Sequence, residues 1–271
     1  MKTTWPLYAF DNFFEGCDRP YPTPERWDLQ HRLGYDLAYL SINRAQDDSW
    51  RKLLEAPGQI VRTGLGLAAA YTFVNLCDPA PSPERTASAM LELIPDGGTF
   101  ELAFTVGWKK ELSDPARDEE VLAFLDPLVR RARERNVTIS LYPHYGFWME
   151  RVEDCIRLAA RVNDPVLRVS FSGYHWYAVD GKDLQERLRL AAPWLHLVSV
   201  CGAHPKEEGR DYPLPMIIEP VGRGDFPLRE FLAGLRAIHY AGPVGFQGYL
   251  IGGHPPTTLK QSIEAFRQAC D

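Results

Sequence analysis

Apolar residues along this chain follow two alternating periods. Short runs of aliphatic, aromatic and β-branched residues stand at Leu7–Phe10, Leu37–Ile42, Leu67–Val74, Phe100–Val106, Val137–Tyr142, Leu167–Ser172, Leu195–Cys201 and Val244–Leu250. Each has the length and composition of a strand. Between them apolar positions recur at the i, i+3, i+4, i+7 spacing of one helix face. Leu122, Leu125, Leu128, Val129 and Ala132 make one such stripe, Val152, Cys155, Ile156, Ala159 and Val162 a second, and Leu228, Phe231, Leu232, Leu235 and Ile238 a third. A helix from about Ser49, one with Met90, Leu91 and Ile94, one over Leu184–Trp194 and a last with Leu259, Ile263 and Phe266 complete the series. Thr23-Pro24-Glu25 and Ser82-Pro83-Glu84 each read as an N-cap, a proline in the first turn and an acid at the positive helix end. Gly34 reads as a C-cap. Asp118, Glu119 and Glu120 open a helix that Arg130, Arg131, Arg133 and Arg135 close, with Pro127 placed to kink it.

Eight strands thus alternate with eight helices, about one unit per 34 residues. Alternation predicts a parallel sheet, and eight units predict a closed (β/α)8 TIM barrel of class α/β, one domain over residues 1–271. A doubly wound open sheet would be expected to carry GxGxxG after its first strand, and none is there.

Composition narrows the function. A net charge of −6 argues against a nucleic-acid surface, which needs a basic field. No stretch approaches the roughly 20 apolar residues of a membrane span, and MKTTWPLYAFDN lacks the apolar core of a signal peptide. Cys17, Cys77, Cys155, Cys201 and Cys270 are odd in number and follow no metal-binding spacing, so reduced thiols and a cytoplasmic location are expected, with Cys155 in the core.

In such a barrel ligands bind where strands end at their C-termini. The residues there are Asp11 and Asn12, Asn75, Lys109, Tyr142 and His144, Ser172 and His175, Ser199 and His204, and Gln247 and Tyr249. Amides, hydroxyls and aromatic rings outnumber carboxylates, which suits a sugar. One strand–helix–strand unit, Val137–Asp180, delivers both His144 and His175.

Several segments resemble the sugar phosphate isomerase/epimerase family with a xylose isomerase-like barrel. They are His31–Asp36 with its LGYD, Asn136–Leu141 followed by Pro143-His144, Ser172-x-x-His175, Pro220–Phe226, and His239–Pro243. The resemblance spans nearly the whole chain. It implies a barrel that holds a divalent metal with Glu, Asp, His and Glu at the ends of strands five to eight, the two glutamates moving protons between sugar carbons. Those slots read Tyr142, Ser172, Ser199 and Gln247 in this chain. A phenol, two alcohols and an amide are poor ligands for a hard divalent ion and poor bases toward carbon. The resemblance therefore implies a divergent branch, with no cofactor expected. Were a metal held, His144, His175 and His204 would be its replacement ligands.

The expected activity is that of a sugar isomerase or epimerase acting on a sugar, keto-sugar or sugar derivative, with His144 and His175 as acid, base or hydroxyl-binding groups. The resemblance puts a histidine at each of these places for substrate contact; the plain alternative is a loop histidine bonded to backbone. Glu219 is a substitute acid or base, or a solvated loop carboxylate. Arg223, between Gly222 and Gly224, is a clamp for an anionic group or a surface arginine in a turn. Lys109 is a strand-end lysine able to reach substrate, or a solvent-facing one. Asp11, Tyr142, Ser172, Ser199, Gln247 and Tyr249 complete the expected sugar contacts. A catalytically silent carbohydrate-binding barrel and a lyase or hydrolase acting on modified glycosides are the alternatives. A small-molecule carbohydrate is the expected partner, nucleic acid and membrane are not, and a homo-oligomer stays open.

Overall fold

The structure is a computed structural model that describes residues 5–42, 47–78 and 83–271. In chain order its strands are β1 (Leu7–Phe10), β2 (Leu37–Ser41), β3 (Gly66–Asn75), β4 (Thr99–Thr105), β5 (Thr138–Leu141), β6 (Leu167–Ser172), β7 (Leu195–Val200), β8 (Gly202–Pro205), β9 (Met216–Glu219) and β10 (Val244–Phe246). Strands β1 to β7 and β10 pair in parallel and close into an eight-stranded barrel, β10 joining β7 to β1. Strands β8 and β9 form a separate antiparallel hairpin beyond β7. Helices α1 (Thr23–Leu33), α2 (Asp47–Thr63), α3 (Pro83–Leu93), α4 (Asp118–Glu134), α5 (Val152–Val162), α6 (Gly173–Val179), α7 (Leu184–Ala191), α8 (Leu228–Ala237) and α9 (Pro255–Cys270) alternate with the barrel strands, α6 and α7 both standing between β6 and β7 and the hairpin following β7 directly.

The period-2 pattern explains both faces of the barrel wall. Phe100, Leu102 and Phe104 of β4, Leu167, Val169 and Phe171 of β6, and Val198 and Val200 of β7 are buried in the main core with the apolar helix stripes. Burying such a side chain contributes roughly 1.5–3 kcal/mol. Alternate residues form a second, inner cluster that includes Tyr8, Phe10, Tyr39, Ala69, Ala103 and Tyr142. Tyr39 stacks on Phe10 at 4.0 Å between ring centroids and on Tyr8 at 5.5 Å. Gly245 makes room for this stack, since a Cβ there would fall 2.2 Å from the Tyr8 ring.

Several expected boundaries shift for local reasons. Helix α1 begins at Thr23 itself, with Pro22 in extended conformation as the N-cap residue and no side-chain cap, whereas Gly34 does end it in the left-handed conformation at φ 83°. The expected Ser82 cap lies outside the described residues. Helix α4 runs through Pro127 without interruption. Strand β10 stops at Phe246 because the next amides turn inward: Gln247 N–H still reaches Val200 O, but Gly248 N–H bonds the Asn12 side chain. Helix α6 and the hairpin were not legible as elements. Among the described residues no helix is long and apolar enough to cross a membrane.

Candidate functional site

At the C-terminal ends of the strands the barrel opens into a cavity of about 430 Å³. Its wall is largely aromatic, formed by Tyr39, Tyr71, Phe73, Trp108, Tyr142 and Phe147. Polar atoms enter from Asn12, Ser41, His144, His175, Gln247 and Tyr249. Among the described residues no lysine or arginine lines it, and the one lining carboxylate is Glu15 at the rim. Partial burial and the neighbouring Asp11 charge raise the Glu15 pKa.

The two histidines meet because the ends of β5 and β6 are adjacent. Past β5 the chain makes a tight turn in which His144 N–H bonds Met149 O and Phe147 N–H bonds His144 O. This lays Phe147 on the His144 ring at 3.9 Å. On the neighbouring strand Ser172 caps α6, its hydroxyl accepting His175 N–H at 3.4 Å, which brings the His175 ring to 4.0 Å from that of His144. Backbone contacts fix opposite tautomers. His144 Nδ1 lies 2.8 Å from Tyr145 O, and a carbonyl only accepts, so Nδ1 carries the proton and Nε2 is a free lone pair. His175 Nδ1 accepts Tyr145 N–H at 3.1 Å, so in the neutral ring Nε2 carries the proton. That Nε2–H is buried and has no partner. Desolvation lowers the His144 pKa to about 4, and desolvation plus the charge of His144 lowers that of His175 well below the usual range. Both rings are therefore neutral at pH 7.

Tyr142, Ser172, Ser199 and Gln247, from four neighbouring strand ends, are buried together on the inner side. Tyr142 donates to Ser172 Oγ at 3.2 Å, while Ser199 Oγ, close enough to the same phenol to temper its pKa, makes no hydrogen bond. Gln247 Oε1 is also buried without a partner. Buried polar atoms are nearly always satisfied, so Ser199 Oγ, Gln247 Oε1 and His175 Nε2 form a set that a ligand's hydroxyls could complete. A phenol, two alcohols and one amide oxygen, with no carboxylate or imidazole among them, make a poor set for a hard divalent ion, which takes carbonyl oxygens beside charged ones. Among the described residues no three His, Cys, Asp or Glu side chains converge as a ligand set.

Comparison with known proteins bears on this architecture. Residues 27–269 match the family model for the xylose isomerase-like TIM barrel. The chain belongs to the xylose isomerase-like TIM-barrel family. Within it, the chain is similar to a 3-keto-D-glucoside 4-epimerase, YcjR, from E. coli, at 15% identity and TM-score 0.75 over 97% of this chain and 99% of that one. It is similar to a D-psicose 3-epimerase from Clostridium cellulolyticum H10, solved with D-tagatose, at 13% identity and TM-score 0.71 over 98% and 99% of the two chains. It is also similar to the IolI protein solved with a bound zinc atom, at 11% identity and TM-score 0.76 over 98% of each chain. At these identities the likeness is one of fold. No curated protein sequence matches the chain.

On this xylose isomerase-like barrel the residues singled out from sequence divide into two groups. His144, His175, Tyr142, Gln247 and Tyr249 line the cavity, and Ser172 and Ser199 lie buried beside Tyr142. The others are held elsewhere. Asp11 is buried, but Lys52 at 2.7 Å, Arg26 at 3.7 Å and the Ser41 amide occupy its carboxylate. Glu219 and His204 face each other at 3.5 Å on the hairpin, outside the cavity lining, so His204 does not join the other two histidines. Arg223 is exposed and bonds Gln261. The glycines beside it serve packing, since a Cβ at Gly222 would meet Ala265 and one at Gly224 would meet Ala203 O. Lys109 is exposed, its ammonium 5.4 Å over the Tyr145 ring.

Sequence reasoning missed Glu101. It sits near the middle of β4, 1% exposed and outside the cavity lining. Tyr39 donates to its Oε2 and Ser170 to its Oε1. Burial raises its pKa to about 7, against the lowering effect of those two bonds. The available signal was a lone glutamate in the otherwise apolar run TFELAFT.

Proposed function

We propose that this chain is a sugar epimerase- or isomerase-like enzyme acting on an uncharged sugar, keto-sugar or sugar derivative, and that it works without the divalent ion its family relationship implies. The observation that carries the reading is the imidazole pair with fixed, opposite tautomers. A neutral N–H aimed at a carbonyl oxygen stabilises the charge that develops as a neighbouring C–H proton leaves. In this reading His175 Nε2–H takes that role and the His144 Nε2 lone pair accepts a proton from carbon or hydroxyl, the tautomers set by their Nδ1 contacts supporting the assignment. Tyr142, Gln247 and Asn12 supply hydroxyl-binding groups, and the aromatic wall supplies ring faces. That no lysine or arginine lines the cavity among the described residues favours an unphosphorylated substrate over an anionic one. The donor chemistry of Tyr142, Ser172, Ser199 and Gln247 supports the metal-free part of the reading. A role in carbohydrate metabolism in the cytoplasm follows from it, consistent with five free cysteines.

Binding without turnover is the second reading, and one observation favours it. The low pKa of His144 makes it a weak base in the empty cavity. The two readings separate on a panel of ketohexoses and keto-glucosides, with conversion followed by proton NMR and binding by calorimetry. The enzyme reading expects conversion of at least one sugar. It also expects His175→Ala and His144→Ala to lower turnover about 100-fold or more while binding persists. Binding with no conversion of any bound sugar would overturn it in favour of a sugar-binding barrel.

A further inference from the structure

The barrel interior holds an ionisable group that the imidazole pair does not use. Glu101 is buried and outside the cavity lining, and among the described residues the one lining side chain that it hydrogen-bonds is Tyr39. The strand register shows why the two meet. Tyr39 of β2 pairs with Ala69, whose small side chain leaves the space between β2 and β4 open, and Tyr71 of β3 pairs directly with Glu101. Stacking on Phe10 and Tyr8 holds the Tyr39 ring in place. Below the carboxyl, Ser170 donates to Oε1 and shares a 2.7 Å hydrogen bond with Ser140.

We propose that Glu101 and Tyr39 form a proton relay joining the barrel interior to the cavity, with Tyr39 as the hydroxyl that meets the ligand and Glu101 acting through it.

A purely structural carboxyl would be expected to have a cation beside it or to be replaced by an apolar group. Glu101 has neither. The titratable groups that face it are Tyr8 from β1, Tyr39 from β2, Tyr71 from β3, Tyr142 from β5 and Tyr240 from the segment before β10, all phenols that stay neutral at pH 7. Ser140 and Ser170 complete its surroundings from β5 and β6, and among the described residues it forms no ion pair. Its two protonation states are consequently close in free energy near neutral pH. The transfer balances without a co-reactant. With Glu101 ionised Tyr39 donates to it; with Glu101 neutral the bond runs the other way, the carboxyl O–H donating to the Tyr39 oxygen and the Tyr39 proton turning to the ligand. From that neutral state, as the Glu101 O–H bond breaks, an O–H bond forms at the Tyr39 oxygen, and the original Tyr39 proton moves to the carbanion or oxyanion of the ligand. Glu101 ends as carboxylate, and Tyr39 is a phenol before and after. Run backward, the same path removes a proton from the ligand and leaves Glu101 neutral.

The inference rests on the proposed proton chemistry for its substrate step, but the relay can be tested without a sugar. Infrared difference spectra of the whole protein, subtracted from those of Glu101→Gln, isolate the carbonyl band of the protonated Glu101 carboxyl. Three results are expected. The band titrates near neutral pH. In Tyr39→Phe its midpoint moves upward, since the lost hydrogen bond favoured the carboxylate. On dilution into D₂O, the shift from O–H to O–D at Glu101 slows about tenfold or more in Tyr39→Phe. Equal exchange rates in the wild type and Tyr39→Phe, or an unmoved midpoint, would overturn the relay. Both substitutions are near-isosteric, and circular dichroism checks that each variant is folded. Because no sugar enters the experiment, its failure is distinct from failure of the sugar reading.

Discussion

Ionised Glu101 should destabilise the fold, and the cost can be worked from its surroundings. The carboxyl is 1% exposed, two hydroxyls donate to it, and no cation pairs with it among the described residues. Raising a carboxyl pKa from 4.5 to about 7 makes its ionisation cost roughly 3 kcal/mol more in the folded chain than in the unfolded one. The sign follows from proton counts. Between pH 4.5 and about 7 the native state binds the Glu101 proton more tightly than the unfolded state does, so this group's contribution to stability falls as pH rises through that window and levels off above it. Glu101→Gln removes the titration and keeps the volume. Urea unfolding of both proteins, followed by circular dichroism at about pH 5 and about pH 9, should show this effect at no more than about 1 kcal/mol at the acid end. At the alkaline end the variant should be more stable by an amount approaching 3 kcal/mol. A difference between the two proteins that does not change with pH would mean that Glu101 does not titrate in this window.

Other regions give further tests. Burial lowers the pKa values of His144, His175 and His196, so stability should fall as pH drops from about 6.5 toward 4, a trend best read in the Glu101→Gln background by thermal unfolding across that range. Gly146 has φ +76°, and a Cβ there would fall 2.8 Å from the Trp108 ring. Gly146→Ala should cost about 1–3 kcal/mol and shift tryptophan emission as Trp108 leaves the cavity wall. Gln247→Leu removes a buried, unpartnered carbonyl oxygen and should raise stability by about 1 kcal/mol while weakening sugar binding, as thermal shift and calorimetry would show.

The barrel was legible because its outer strand faces and helix stripes obey simple periods, as in Phe100, Leu102 and Phe104 or Leu228, Phe231 and Leu235. His144 and His175 stood out because each follows a strand's end. Elsewhere, long-range pairing decided the outcome, and spacing along the chain does not encode it. Asp11 is neutralised by Lys52, 41 residues away in sequence. The segment after β7, read as a loop carrying His204 and Glu219, folds into a hairpin that pairs these two with each other. Glu101 was hidden for a different reason. An inward-facing polar residue in a barrel strand looks like ordinary alternation until the ring of tyrosines around it is seen.

The proposed function requires neutral histidines to transfer a proton at a sugar carbon without a divalent ion. Its most direct test is deuterium wash-in from D₂O at the carbon next to the carbonyl of bound keto-sugars, followed by proton NMR with chelator-treated protein. Exchange should persist in the chelator and be lost in His144→Ala and His175→Ala. Exchange that appears only on adding a divalent ion, or none with any sugar that binds, would contradict the proposed function.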